Sequence, residues 1–305
     1  MILEMKDSYP PVSLVRFCRL FGITRQAFYK HFWSISDSNA EQQLILKRVK
    51  EIRALHPVIG TRKLYCLLRP FLIEHRIKTG RDALFDLLSA NKMLVRKRKR
   101  KISTTQSHHW LKKYSNLIKG WYPKKPVELW VADITYVPVR NNFLYLSLIT
   151  DAYSHKIMGY QIADTLHAIH TTKALQMALK NNEVIPDELI HHSDRGVQYC
   201  NAEYVNLLHE HKIKISMTEN SDPLDNPIAE RINGIIKHEY LKHYPISNQS
   251  EAMILLDIIV SRYNHQRPHQ SIRMLTPEHV HKNKLLVNRQ WNKQRHLTNI
   301  VNQKL

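Results

Sequence analysis

The stretch Leu189-Ile190-His191-His192-Ser193-Asp194-Arg195-Gly196 decides how this chain is read. An apolar run that breaks into Ser-Asp-Arg-Gly is a β-strand running into a turn, which sets Asp194 at the strand's C-terminal end. By itself that acid is as much a surface residue in a polar turn as a functional one. The carboxylates at 133 and 230 make it informative.

Working outward, residues 128–139 carry Trp130, Val131, Ile134, Tyr136, Val137 and Val139, a density of strand formers with Asp133 among them. Residues 143–150, almost wholly apolar, form a second, central strand, and 155–163 a third. Residues 167–181 have helical periodicity, 188–193 are the fourth strand, 201–210 a helix and 212–217 a short fifth strand. Three strands, helix, strand, helix, strand, helix is the order of an RNase H-like α/β fold, with a mixed five-stranded sheet and flanking helices. Other mixed α/β sandwiches share that order.

The helix after residue 225 is capped by Asp225 or Asn226, with Pro227 in its first turn. Ile228, Ile232, Ile235, Ile236 and Tyr240 make its buried stripe. Glu230 lies opposite that stripe, sharing a face with Asn233, Gly234 and Lys237. A carboxylate there is free to hold metal, and Lys237 a phosphate, although every surface helix has such a face. Glu230 follows Asp194 by 36 positions. Two adjacent strands and one helix can bring Asp133, Asp194 and Glu230 to one sheet edge. Hard oxygen ligands of this kind suit Mg²⁺. Two such ions about 4 Å apart activate the attacking oxygen and stabilise the leaving oxygen at phosphorus, with no covalent protein nucleophile. Zinc is a poorer match, since no Cys/His cluster has finger spacing. His191 and His192 either aid phosphate binding, order the loop or face the sheet interior.

The formal charge is +20, and its distribution is uneven. Residues 1–127 hold 27 basic against 8 acidic residues, and 128–305 hold 19 against 18. The first part reads as a polyanion-binding region. In 12–32, Ser13 and Thr24 cap two short helices around Gly22, which is a helix-turn-helix pattern or an ordinary helical hairpin. As the former, it presents Thr24, Arg25, Gln26 and Lys30 to DNA. A second helical module follows, with helices over 40–55, from Gly60-Thr61 to near Pro70, and over 79–94. Its Arg62 and Lys63 suit phosphate contacts and solvent equally. Arg96, Lys97, Arg98, Lys99, Arg100 and Lys101 are six consecutive cations, read as the start of an extended DNA-tracking linker. Trp110, Trp121 and Tyr122 are expected to pack on the neighbouring domain rather than stack on bases. The organisation expected is a helix-turn-helix-like segment (1–38), a second helical module (39–95), a basic linker (96–126), an RNase H-like core (127–281) and a basic polar tail (282–305).

No run approaches the length of a membrane span, no secretory leader is visible, and three scattered cysteines suggest no disulfide framework. A reducing, cytoplasmic setting fits.

Four motifs stand in order: Trp-Val-Ala-Asp-Ile-Thr-Tyr (130–136), His-Ser-Asp-Arg-Gly-Val-Gln-Tyr (192–199), Asp-Asn-Pro-Ile-Ala-Glu (225–230) and Tyr-Asn-His-Gln-Arg-Pro-His-Gln-Ser (263–271). Together they resemble the second-frame transposases of bacterial insertion sequences, which carry a retroviral-integrase-like catalytic core. The resemblance runs from residue 12 to about residue 281. It implies a DDE transposase dependent on Mg²⁺ or Mn²⁺, with Asp133, Asp194 and Glu230 matching the family's three acids. Asn226 matches the Asn before the glutamate, and Arg267, Pro268 and His269 match the tail motif. His192, Arg195 and Asn233 are read as supporting the acids. The resemblance further implies cleavage at element ends, joining to target DNA, self-association as a dimer or higher multimer, and fusion with or partnership to a small upstream helix-turn-helix protein. A bacterial, nucleoid-associated setting goes with it. Ala132 stands where the family usually has Thr, and Glu219-Asn220-Ser221-Asp222-Pro223-Leu224 where a basic, Gly-containing stretch is common. An RNase H-like nuclease that hydrolyses without joining, and a non-catalytic DNA-binding regulator, are the alternative readings.

Overall fold

The computed structural model describes residues 2–95, 110–139, 142–182, 185–219 and 226–286. The chain divides into two compact units. One comprises Met1–Ala54 and Leu68–Met93; the other comprises Leu55–Leu67 and Leu94–Leu305.

The first unit holds α1 (Ile2–Ser8), α2 (Leu14–Leu20), most of α3 (Arg25–Leu55), the C-terminal part of α4 (Thr61–Glu74) and α5 (Arg81–Ala90). Ser13 Oγ accepts from Arg16 N and Thr24 Oγ1 from Ala27 N at 3.0 Å, so both expected caps form. Gly22, at φ 67°, makes the turn between them. The structure departs from the expected two modules. Their boundary at 38/39 lies inside α3, a continuous helix of 31 residues. No Gly or Pro interrupts residues 25–55, so nothing in the backbone breaks the hydrogen-bond ladder. Pro70 lies inside α4 instead of ending it. Ile45, Leu46, Val49, Ile52, Leu72, Leu84 and Leu88 are buried, each contributing about 2 kcal/mol by removal from water.

The second unit is built on one five-stranded sheet in the order β3-β2-β1-β4-β5. Its strands are β1 (Leu129–Val139), β2 (Asn142–Asp151), β3 (Ile157–Ala163), β4 (Ile190–Ser193) and β5 (Lys214–Met217). The first three form an antiparallel meander, and β4 and β5 add in parallel. The mixed sheet with helices on both faces is RNase H-like, as its element order implied. One face packs on α6 (Ala168–Lys180), α7 (Val197–Cys200) and α8 (Ala202–Glu210), with Trp130, Ala132 and Ile149 in that core. A Cβ on Gly159 would lie 2.0 Å from the Ala174 carbonyl oxygen, so β3 approaches α6 more closely than any side chain permits. The other face packs on α9 (Pro227–Ile235) and α10 (Gln249–His265), with Val137, Leu146, Leu148, Ile232, Leu256 and Ile259 between. α9 continues into a π-helical turn (Ile236–Tyr240) and a 3-10 turn, and α11 (Pro277–Asn283) follows α10.

The segment expected as a free linker is, from residue 110, part of this unit. Met217 N donates to Ser115 O at 3.3 Å, Leu117 N to Ser216 Oγ at 2.9 Å, and Leu111 and Tyr114 pack against the core. Trp110, Trp121 and Tyr122 are nevertheless exposed, not packed as expected. Among the described residues, no helix is long and apolar enough to cross a membrane.

Candidate active site

Strand register brings the first two acids together. β1 and β4 run parallel with Trp130 opposite His191 and Val131 opposite His192. That register ends at His192, and Asp194 follows the last β4 residue, Ser193, close enough for its charge to act on Asp133. Alternation along β1 turns Trp130 and Ala132 toward α6 and α8, and Leu129, Val131 and Asp133 toward α9. There, Ala229 packs on Val131, and Asn233, one turn on, donates from Nδ2 to Asp133 Oδ2 at 2.8 Å. Glu230 follows Ala229 and faces solvent.

Asp133 also accepts from the Ile134 amide at 2.9 Å through Oδ1. Its pKa is pushed up to about 7: burial is the main cause and the Asp194 charge the next, opposed by the bonds from Asn233 and Ile134, with a smaller upward push from Glu230. Asp194 is held in its turn by the Gly196 amide, which donates to Oδ1 at 2.9 Å. A Cβ at Gly196 would crowd that oxygen at 3.0 Å.

α9 is tied to β1 at its start. Asn226 Nδ2 donates to the Ala132 carbonyl at 2.9 Å. This corrects the expected N-cap role: Asn226 occupies the cap position but makes no side-chain capping bond, because its amide reaches the strand. Asn233 departs too from the solvent face shared with Glu230, being buried against Asp133. The Oδ1 atoms of Asn226 and Asn233 are buried and find no hydrogen-bond partner among the described residues.

The remaining supporting residues sort differently. His191 and His192 are both fully buried. His191 Nε2 bonds the Tyr204 hydroxyl at 2.8 Å and His192 Nδ1 the Ser216 hydroxyl at 2.9 Å. His192 therefore orders the β4–β5 edge instead of meeting a phosphate. Burial drives His191 down to about 3, so it stays neutral. Arg195 is half-buried beside Asp194. Arg267 and His269 lie in the core away from solvent: Arg267 donates to Glu239 Oε2 through Nε and Nη2 at 3.1 and 2.8 Å, and to His269 Nε2 through Nη1 at 2.9 Å.

Carboxylate oxygens are the right donors for a hard divalent cation, and two that repel each other at Asp133 and Asp194 call for one. The donor set fits in kind. Among the described residues, however, no group of three or more His, Cys, Asp or Glu side chains is already gathered to hold a metal ion.

Two family models, both described as integrase core domain, match residues 123–223 and 211–277. A 31 kDa protein of insertion element IS600 from Shigella sonnei is 34% identical over 264 residues, covering 85% of this chain and 95% of that protein. This chain belongs to the insertion-sequence transposases with an integrase core. The transposase for element IS629, also from Shigella sonnei, is 28% identical over 212 residues, 70% of each chain. The HTLV-2 integrase catalytic core, solved in complex with magnesium, is 19% identical with a TM-score of 0.41, covering 51% of this chain and 97% of that one.

The transposase is thus a polynucleotidyl transferase of the DDE transposase and integrase type. Its other sequence-predicted contacts are spread out. Thr24, Arg25, Gln26 and Lys30 are exposed on the first unit, with the Arg25 guanidinium 5.8 Å from the Tyr29 ring centre. Arg62 is exposed, while Lys63 is half-buried and pushed down to about 8, mainly by burial and then by the Arg267 charge. Lys237 lies in the π turn, half-buried. Arg96–Lys101, Asp225 and the end of the tail fall outside the described residues. Glu219, which opens the stretch that departs from the family's basic segment, is turned to Lys119 at 3.4 Å.

Sequence reasoning missed two groups. Asp151 is fully buried at the end of β2, and its oxygens accept from the Val127 amide and from the amide and hydroxyl of Ser154, each at 2.7 Å. Tyr199, on α7, is buried with its hydroxyl unpartnered among the described residues, and the charges of Asp194 and Asp133 add to the burial that raises its pKa. The Tyr in the His-Ser-Asp motif was the available signal.

Proposed function

We propose that this transposase nicks double-stranded DNA at insertion-sequence ends and joins the freed 3′-hydroxyl to a target phosphodiester, with Asp133, Asp194 and Glu230 as its catalytic, metal-holding acids. The observation that supports this reading is the parallel pairing of β1, which carries Asp133, with β4, which leads into Asp194, together with the bond from Asn233 on the helix of Glu230 to the first acid. In the nicking step, a water oxygen bonds to phosphorus as the bond to the 3′-oxygen breaks. In the joining step, that 3′-hydroxyl attacks the target phosphorus and displaces another 3′-oxygen. No protein side chain is covalently modified in either step.

Asp133 and Asp194 would hold Mg²⁺ or Mn²⁺ with Glu230 as the third acid, two ions per site. When bound, such ions supply Lewis-acid polarisation of the attacking and leaving oxygens. Asn233 fixes the rotamer of Asp133, the Gly196 amide fixes that of Asp194, and Asn226 fixes where α9 begins on β1. The charge of residues 1–127 supports DNA binding, with Thr24, Arg25, Gln26 and Lys30 reading element ends and Arg62, Lys63, Arg96–Lys101 and Lys237 meeting phosphates. Pairing of two ends calls for self-association as a dimer or higher multimer, and an upstream helix-turn-helix partner fits the family resemblance. A cytoplasmic setting on the nucleoid suits this chemistry.

The test is incubation of labelled element ends and target plasmid with the full chain and Mn²⁺. Nicked and joined products are expected. Asp194→Asn should bind DNA as before and lose both. Retention of joining would sink the acid assignment, and nicking without joining would favour a hydrolytic nuclease.

A further inference from the structure

The tail motif Tyr263–Ser271 makes its contacts within the fold, with Glu239, His155 and the Ile157 backbone. Arg267 is 1% exposed, and both its bonds to Glu239 end on a single oxygen. A guanidinium can only donate, so His269 Nε2 must accept and its ring proton must sit on Nδ1. Burial and the Arg267 charge keep that imidazole neutral. Tyr263 and His155 brace the His269 ring, with ring centres at 4.9 and 5.8 Å. Asn264 braces the strand side, exchanging two 3.0 Å bonds with the Ile157 backbone.

Glu239 is not an arbitrary anchor. It lies in the π turn Ile236–Tyr240 that continues α9 directly. The next residue, Tyr240, is buried and shares a 2.8 Å hydrogen bond with His56 Nδ1. A π turn carries one residue more than an α turn, so it sets the rotation of the helix before it. With Asn226 pinned to Ala132 at the other end, α9 is held at both ends.

We infer that Arg267 is a positioning residue: by clamping Glu239 in the π turn, with His269 as its fixed acceptor, it sets the rotation of α9 and so the placement of Glu230 and Asn233 against Asp133. The metal part of this inference rests on the acid assignment proposed above; the helix part does not. Losing Glu239's charge leaves a buried guanidinium without its counter-ion. Lysine at 267 keeps the charge but cannot reach both partners with a planar fork.

The test uses Glu239→Gln and Arg267→Lys in the full chain, read by amide hydrogen exchange and by Mn²⁺ titration calorimetry. Both variants are expected to melt cooperatively, with exchange across 227–241 at least tenfold faster than wild type and β1–β3 protected as before. Mn²⁺ should bind at least tenfold more weakly, and nicking should recover at raised Mn²⁺. Folded variants with wild-type exchange in 227–241 would overturn the inference. Global unfolding of both would do so too, since the pair would then serve overall stability alone. A wild-type chain that binds no Mn²⁺ would overturn the acid assignment, leaving the exchange data to decide the clamp.

Discussion

Asn233 on α9 donates to Asp133 on β1 at 2.8 Å, and so joins a helix and a strand exactly one hundred positions apart at the centre of the candidate site. The bond orients a carboxylate whose other oxygen takes the Ile134 amide. Removing an orienting partner of this kind typically costs a metal site 10- to 100-fold. Asn233→Ala is therefore expected to lower nicking by about that factor, with DNA affinity unchanged, as read by gel assays of cleavage and binding. Nicking at the wild-type rate would show that Asp133 needs no such partner.

Asp133 also makes stability depend on pH when metal is absent. Its folded pKa of about 7 exceeds the ordinary carboxylate value of 3.8. Between those values the folded chain keeps a proton that the unfolded chain has lost, so stability falls as pH rises through that window. Asp133→Asn removes the effect. In EDTA its unfolding free energy should match wild type near pH 3 and exceed it near pH 8, by about 2 kcal/mol after allowing for the partial exposure of the carboxylate. Parallel melting curves across that range would count against a strained acid here.

How much of this could be read from the residues alone follows from what each feature depends on. The strands and Asp194's place at a strand end were legible because alternation and turn residues are local. The neighbouring of β1, which carries Asp133, and β4, which leads into Asp194, needs only a parallel sheet. Asn226 makes no cap and Asn233, although it supports an acid as expected, is not on the solvent face, because the neighbouring strand takes both amides. The boundary between 38 and 39 rests on reading 12–32 and 40–55 as separate helical patterns, yet nothing covalent in residues 25–55 forces a break. The Arg267–Glu239 pair spans 28 positions and has no periodic signature, so only the folded chain shows it.

Gly159 is fixed by packing, not by a turn. A Cβ there meets two backbone atoms of α6, at 2.0 Å from the Ala174 oxygen and 2.8 Å from the Ala178 nitrogen. Backbone cannot swing aside as a side chain can. Gly159→Ala should cost about 3 kcal/mol or more, at the upper end for overpacking, or prevent folding. A denaturant midpoint within error of wild type would mean that α6 can move.

Asp151 should be the structural acid that matters most. Burial pushes its pKa up, but His281 and the amides of Ser154 and Val127 outweigh that and hold it below the usual carboxylate value. Its contribution is then complete above pH 3.8 and lost as pH falls through the lower folded value. Asp151→Asn turns an NH₂ toward backbone donors and should cost about 3 kcal/mol at pH 7. The cost should shrink in acid, as read by chemical denaturation at pH 7 and pH 3. It also releases Val127, a β-branched residue held at φ 63°.

The unbroken α3 has a consequence of phase. Each residue advances a helix by about 100° and 1.5 Å. The exposed turn Thr24–Lys30 and the buried row Ile45, Val49 and Ile52 are therefore geared to one another through a single shaft. One residue inserted near position 36 would swing the exposed turn by about 100° relative to the buried row, while seven would return it to within about 20°. Indel tolerance in this segment should follow the helical repeat and not the number of residues added.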